Sequence, residues 1–338
     1  MVQSYSEFMT MGAVTHFPSG QDAGRPLARA FKRQRVDQSP ERMERLKKML
    51  SESKTGKQTL DFLESKGSDL IFEKMKYYGY FSPDKNLVAL NPAMSDEDLA
   101  VTFVHEVRHA WQDSQMQTTT PEMTPKSFLV SGFEIEADAC AAEVTYAHEM
   151  REKNPKIWDA HQKSPYAPMS TAFDKEFKES GDVDKARSAA LLTWYDLRVK
   201  NHYADTYVDY MSTVAKELKK QKEMEPQYFA EDRSSKLIVD TLGKDYEGKT
   251  FFTNHEALET PERLSINEAQ AEKLSKSLIP YMKKYQRTEE QLGLNKITVN
   301  CADGSRATCT DVLNRVKEEQ RQKAAIRAAN RKAAAAGR

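Results

Sequence analysis

Two histidines four residues apart, His105 and His109, constrain this chain more than any other feature. They share a face only if the segment is helical, where residues i and i+4 stack about one turn apart. The flanking residues point the same way. Ser95 followed by Asp96, Glu97 and Asp98 has the form of an N-cap with acids in the first turn, which the positive end of a helix favours. Leu99, Phe103, Val104 and Val107 then supply an apolar side, so the sequence predicts a helix running to about Met116. Two imidazoles so placed can both reach one tetrahedral metal ion at about 2.0–2.1 Å. Glu106, one residue after the first histidine, is offset around the helix, where it can reach a water on such an ion without being a ligand.

A catalytic zinc site needs three protein ligands and one open position. A third histidine six residues after His109 is excluded, because Gln112 and Gln115 stand where glycine and histidine would be needed. A carboxylate from a second helix is the alternative. The segment from about Lys126 to Lys153 has a helical pattern rich in alanine and contains Glu134, Glu136 and Asp138. Glu134 is the expected ligand, with Glu136 weighed as the alternative. Asp138, four residues on, would accept a hydrogen bond from the far nitrogen of a ligating histidine. Ala137 and Ala141 would let the two helices approach closely. Arg108 could pair with Asp138 or Glu136, Trp111 is expected in the core, and Gln112 could bond near the site.

The pattern His105-Glu106-x-x-His109 followed by Glu134-x-x-Ala137-Asp138 resembles the gluzincin metallopeptidases. Together with Leu87-Val88-Ala89-Leu90-Asn91-Pro92, it is similar to a bacterial family of uncharacterised metallopeptidase domains, over about residues 55 to 150 and on toward 215. The resemblance implies a hydrolase acting on peptide bonds in a protein or peptide substrate. It implies one catalytic Zn2+ on His105, His109 and Glu134, and Glu106 as general base. It also implies that Leu87–Leu90 is the sheet edge that aligns substrate. Such enzymes often hold the oxyanion with a downstream histidine or tyrosine. Tyr146, His148, Tyr195, His202 and Tyr203 are candidates, and no spacing singles one out. A metal-stabilised scaffold that cleaves nothing is the alternative function, against which Glu106 argues.

The expected fold is α+β and predominantly helical, with a small β-hairpin on the histidine helix and a helical subdomain after it. Tyr77–Phe81 and Leu87–Leu90, separated by the turn residues Ser82-Pro83-Asp84-Lys85-Asn86, form that hairpin. Residues 1–40 lack apolar periodicity and are read as disordered, 41–215 as the metallopeptidase domain, 216–312 as a mainly helical region and 313–338 as a charged Ala/Lys/Arg helical tail. Residues 155–170, with three prolines, are read as loop. The formal net charge of zero gives no reason to expect nucleic acid as a partner, although both ends are basic. No apolar run approaches the roughly 20 residues of a membrane span. Met1–Thr15 has no basic start followed by an apolar stretch, so no secretory signal is expected. With three cysteines, an odd number, free thiols and a cytoplasmic location are the default, and export without a cleavable signal stays open.

Overall fold

A computed structural model describes residues 37–221 and 227–336. The reading of residues 1–40 as disordered falls almost wholly outside these. Helices α1 (Pro40–Ser51) and α2 (Lys54–Lys66) start on serine N-caps, Ser39 accepting from the Arg42 amide and Ser53 from the Gly56 amide. Three short strands follow: β1 (Asp69–Phe72), β2 (Gly79–Ser82) and β3 (Leu87–Leu90). The expected hairpin is present as the antiparallel pair β2–β3. Strand β1 joins it in parallel on the far side, giving the order β1-β3-β2. This corrects the assignment of Leu87–Leu90 as the sheet edge. Strand β3 is hydrogen-bonded on both flanks, and Val88, Ala89 and Leu90 are fully buried.

Helix α3 (Asp96–Ser114) begins at Ser95, whose hydroxyl accepts from the Asp98 amide, and carries the histidine pair. It lies on the sheet: a Cβ added to Gly79 of β2 would come within 2.8 Å of Thr102 Cγ2. Helix α4 (Pro125–Glu149), capped by Thr124 with proline in its first turn, is buried throughout except at Ile135 and Glu149. It is the axle of the molecule. Its C-terminal half packs Ala142, Tyr146 and Ala147 into a core shared with the sheet, α1 and α3. Its N-terminal half packs Phe128, Leu129 and Phe133 into the larger core of the C-terminal helices. The close approach of the helix that carries Tyr207 requires Gly132, because a Cβ there would meet the Tyr207 ring at 2.6 Å, and the Tyr207 hydroxyl donates to the Gly132 carbonyl.

The reading of residues 155–170 as loop is corrected. Helix α5 (Pro155–Gln162) and helix α6 (Ala167–Ser180) occupy most of it, with Pro155 and Pro168 in their first turns. There the missing N–H has no intrahelical partner to lose, so proline marks helix starts. Helices α7 (Val183–Trp194), α8 (Arg198–Lys220) and α9 (Ser235–Leu242) complete the wall around α4. A second small sheet, within the region read as mainly helical, pairs β4 (Ser265–Asn267) in parallel with β5 (Thr298–Asn300), which pairs antiparallel with β6 (Arg306–Thr308). Helix α10 (Glu268–Tyr285) opens on a capping box between Asn267 and Gln270. Helix α11 (Cys309–Ala336) is anchored by Val312, Leu313 and Val316, and from Glu318 its described side chains are exposed. All three cysteines are free thiols, and no helix among the described residues is long and apolar enough to cross a membrane. The architecture is α+β and predominantly helical.

His148, near the end of α4, packs against Trp158, Phe173 and Phe177. Burial, then the neighbouring Arg151 charge, pulls its pKa down to about 4, with Asp174 opposing. Between that value and the ordinary value near 6.5 the unfolded chain binds the extra proton and the folded one does not. The stability from a neutral His148 is therefore complete above about pH 6.5 and is lost as pH falls toward 4. Urea midpoints measured across this window should drop more steeply for the wild type than for His148→Phe. Parallel profiles would refute this contribution.

Candidate metal centre

The site forms where α3 crosses α4. His105 and His109 present their rings edge to face at 85°, with the two Nε2 atoms 3.0 Å apart. From α4, Glu136 brings Oε2 to 3.7 Å from each of those nitrogens. Three ligand atoms of one tetrahedral ion at about 2.0–2.1 Å lie roughly 3.3–3.4 Å from one another, so the triangle of 3.0, 3.7 and 3.7 Å has the right size. Two imidazole nitrogens and a carboxylate oxygen are also a donor set that zinc accepts. The cluster is deeply set. His105 and Glu106 are essentially inaccessible, and the His109 side chain keeps 15% of its surface.

The far nitrogen of His109 is held by Gln112. Gln112 Oε1 lies 2.8 Å from His109 Nδ1, and Gln112 Nε2 donates to the Ile135 carbonyl and to Asp138 Oδ2, both at 2.9 Å. Both of those partners can only accept, so the amide nitrogen must face them and Oε1 must face the ring. His109 then carries its proton on Nδ1, and its Nε2 lone pair points at the cluster. Gln112, expected only to bond near the site, sets the tautomer of a candidate ligand.

Asp138 was expected to contact a histidine directly. It reaches His109 only through Gln112, because its carboxylate is taken by charge. Arg108 Nε and Nη2 donate to it at 2.6 and 3.0 Å, and Arg187 Nη2 at 2.9 Å. Arg108 is fully buried, donates also to the Leu242 and Lys244 carbonyls, and stacks over Trp111 with 3.7 Å to the ring centroid.

Glu134 does not join the histidines. Its Oε2 accepts from the Tyr195 hydroxyl at 3.1 Å, and the side chain is fully buried. Burial, then the Asp138 charge, pushes its carboxyl well above the usual range. Glu136 lies two residues on, about 200° around the helix, and it is the carboxylate that meets the histidine pair. Among the five residues considered for the oxyanion, Tyr195 is thus engaged by Glu134. Tyr146 is buried toward the C-terminal end of α4, His148 is packed among aromatics, and burial lowers the His202 pKa. Tyr203 stays near: burial, then the Glu136 charge, raises its hydroxyl well above the ordinary tyrosine value. Tyr166, raised by burial and bonded to Tyr203, also feels Glu143 and Glu136 and was not anticipated. Tyr78, just before β2, is raised to about 12 by burial and by Asp98 and Glu143.

Glu143 and His161 were missed as well. The one signal for Glu143 was spacing, since Glu136, Cys140 and Glu143 fall at i, i+4 and i+7 on one helix face. If this triangle holds the metal, Glu136→Gln should lower Zn2+ affinity by at least about 10-fold, whereas Glu134→Gln should leave it within a few-fold. Titration of the metal-free protein against a chromophoric chelator reads both, and the reverse ranking would restore Glu134 as the ligand.

None of the curated proteins and none of the solved structures matches this chain. A family model does match, over residues 24–237, more than half of the chain, and by it the protein belongs to the Putative metallopeptidase family (DUF6782).

Proposed function

We propose that the protein is a zinc-dependent peptidase with His105, His109 and Glu136 as metal ligands and Glu106 as general base. The observation that carries the reading is the number of donors. Among the described residues, the group around the two Nε2 atoms holds three side chains, His105, His109 and Glu136. A structural zinc site closes with four protein ligands, whereas a catalytic one keeps a position for water or substrate. A metal-stabilised scaffold would need neither that position nor Glu106.

When bound there, zinc supplies a Lewis acid that polarises a carbonyl and acidifies water. The protein's own groups do the rest. Glu106, buried beside His105, accepts the proton of the attacking water as the new C–O bond forms, and returns it to the amide nitrogen as the C–N bond breaks. Gln112 keeps His109 in the ligating tautomer throughout. Tyr203 and Tyr166 keep protonated hydroxyls beside Glu136, because burial disfavours their phenolates.

Strand β2, not β3, is the strand proposed to align substrate. It ends the order β1-β3-β2, and it lies directly on α3. An extended peptide can add to such an edge through main-chain hydrogen bonds. The substrate class that follows is an extended peptide segment rather than a folded helix.

Glu106→Gln removes the base without changing the side-chain shape. It should bind zinc as the wild type does and lose about 10²–10⁴-fold in kcat/KM on an unstructured protein such as casein. Cleavage at the wild-type rate with zinc retained would contradict Glu106 as base.

A further inference from the structure

Glu143, two turns after Glu136 on α4, joins two histidines from two other helices. Its Oε2 lies 3.4 Å from His105 Nδ1 on α3, and its Oε1 lies 3.2 Å from His161 Nε2 near the end of α5. The other nitrogen of His161, Nδ1, is 2.6 Å from Ser170 Oγ on α6. All four side chains are buried, with exposures between 0% and 3%. The chain His105–Glu143–His161–Ser170 thus runs from the metal cluster through three helix interfaces, away from solvent.

Both Glu143 contacts are close approaches at ion-pair distance rather than hydrogen bonds, and a carboxylate beside an imidazole nitrogen favours the tautomer that carries its proton there. For His161 that tautomer puts the proton on Nε2 and leaves Nδ1 to accept from the Ser170 hydroxyl. For His105 it puts the proton on Nδ1 and leaves a bare Nε2, the atom that faces His109 and Glu136. Cys140 Sγ also approaches His105 Nδ1, but at 3.9 Å and as a weak acceptor. The Glu143 oxygen at 3.4 Å is the nearer of the two and the one that carries charge.

We propose that Glu143, braced by His161, is a positioning residue of the metal centre: it holds His105 in the tautomer and orientation whose Nε2 can bind the ion. The proposal rests on the metal-site reading above. It also gives the two histidines unlike partners, a carboxylate for His105 and a neutral amide for His109. Outer partners of this kind raise ligand basicity, and their loss costs about 10–100-fold in metal affinity.

The test uses the full chain, stripped of metal and titrated with Zn2+ alone against a chromophoric chelator, together with long-range ¹⁵N–¹H spectra of the histidine rings. In the zinc-loaded wild type, His105 should carry its proton on Nδ1 and His161 on Nε2, opposite tautomers in one protein. Glu143→Leu should weaken zinc by about 10–100-fold. His161→Phe should lose part of that, and His161→Gln, which keeps a donor, should recover most of it. The tautomers are read in the wild type, so the proposal stays open to refutation even if a variant fails to fold. Wild-type zinc affinity in a folded Glu143→Leu, or His161 protonated on Nδ1, would overturn it. Those results differ from failure of the metal site itself, in which His105→Ala would bind zinc as tightly as the wild type.

Discussion

The rest of the structure depends on the buried carboxylate of Asp138. It is fully shielded from water and collects Arg108, Arg187 and Gln112 from two neighbouring helices. Removing one partner from such a buried pair costs about 3–5 kcal/mol, because the charge left behind has no water to turn to. This makes the crossing of α3 and α4 a stiff joint. Ala137 and Ala141, both fully buried, keep the helices close. Arg108 extends the joint to the end of α9 and the turn after it through the Leu242 and Lys244 carbonyls.

The metal-facing geometry is a consequence of that joint. Once Asp138 and the Ile135 carbonyl claim the Gln112 amide nitrogen, the amide oxygen can only face His109. On the other side Glu143 reaches His105 while tied to α5. The two imidazoles are therefore aimed by groups from both halves of the core, and Glu136 enters between them from α4. A site whose ligands are fixed before the metal arrives loses little side-chain freedom on binding. Such rigidity suits a centre meant to keep one position open.

Much of this could be read from the residues, and the parts that could not share a cause. Helix α3 was legible to within a residue or two, because Ser95 caps it and its apolar side repeats at helical spacing. The β2–β3 hairpin was legible from its turn residues. Strand β1 was not: Asp69–Phe72 alternates between exposed and half-buried, with Ile71 left 39% exposed, and the run is too short to stand out. The prolines at 155 and 168 read as breakers in the sequence, but in the folded chain they sit in helix first turns. The ligand carboxylate was the harder matter. Choosing between Glu134 and Glu136 needs the rotation of α4 about its axis, which an amphipathic helix reveals by its polar face. Helix α4 is buried on every side, so no such face exists. His161 lies 56 residues from His105 on a short helix, and only the packed fold brings it to Glu143.

The central claim is that His105, His109 and Glu136 converge on one ion. Anomalous diffraction at the zinc absorption edge, on crystals of the full chain grown with Zn2+, tests it most directly. The account predicts a single strong peak about 2.0–2.2 Å from His105 Nε2, His109 Nε2 and a Glu136 oxygen, with no fourth protein ligand. A peak bound by Glu134, or one enclosed by four protein side chains, would contradict it.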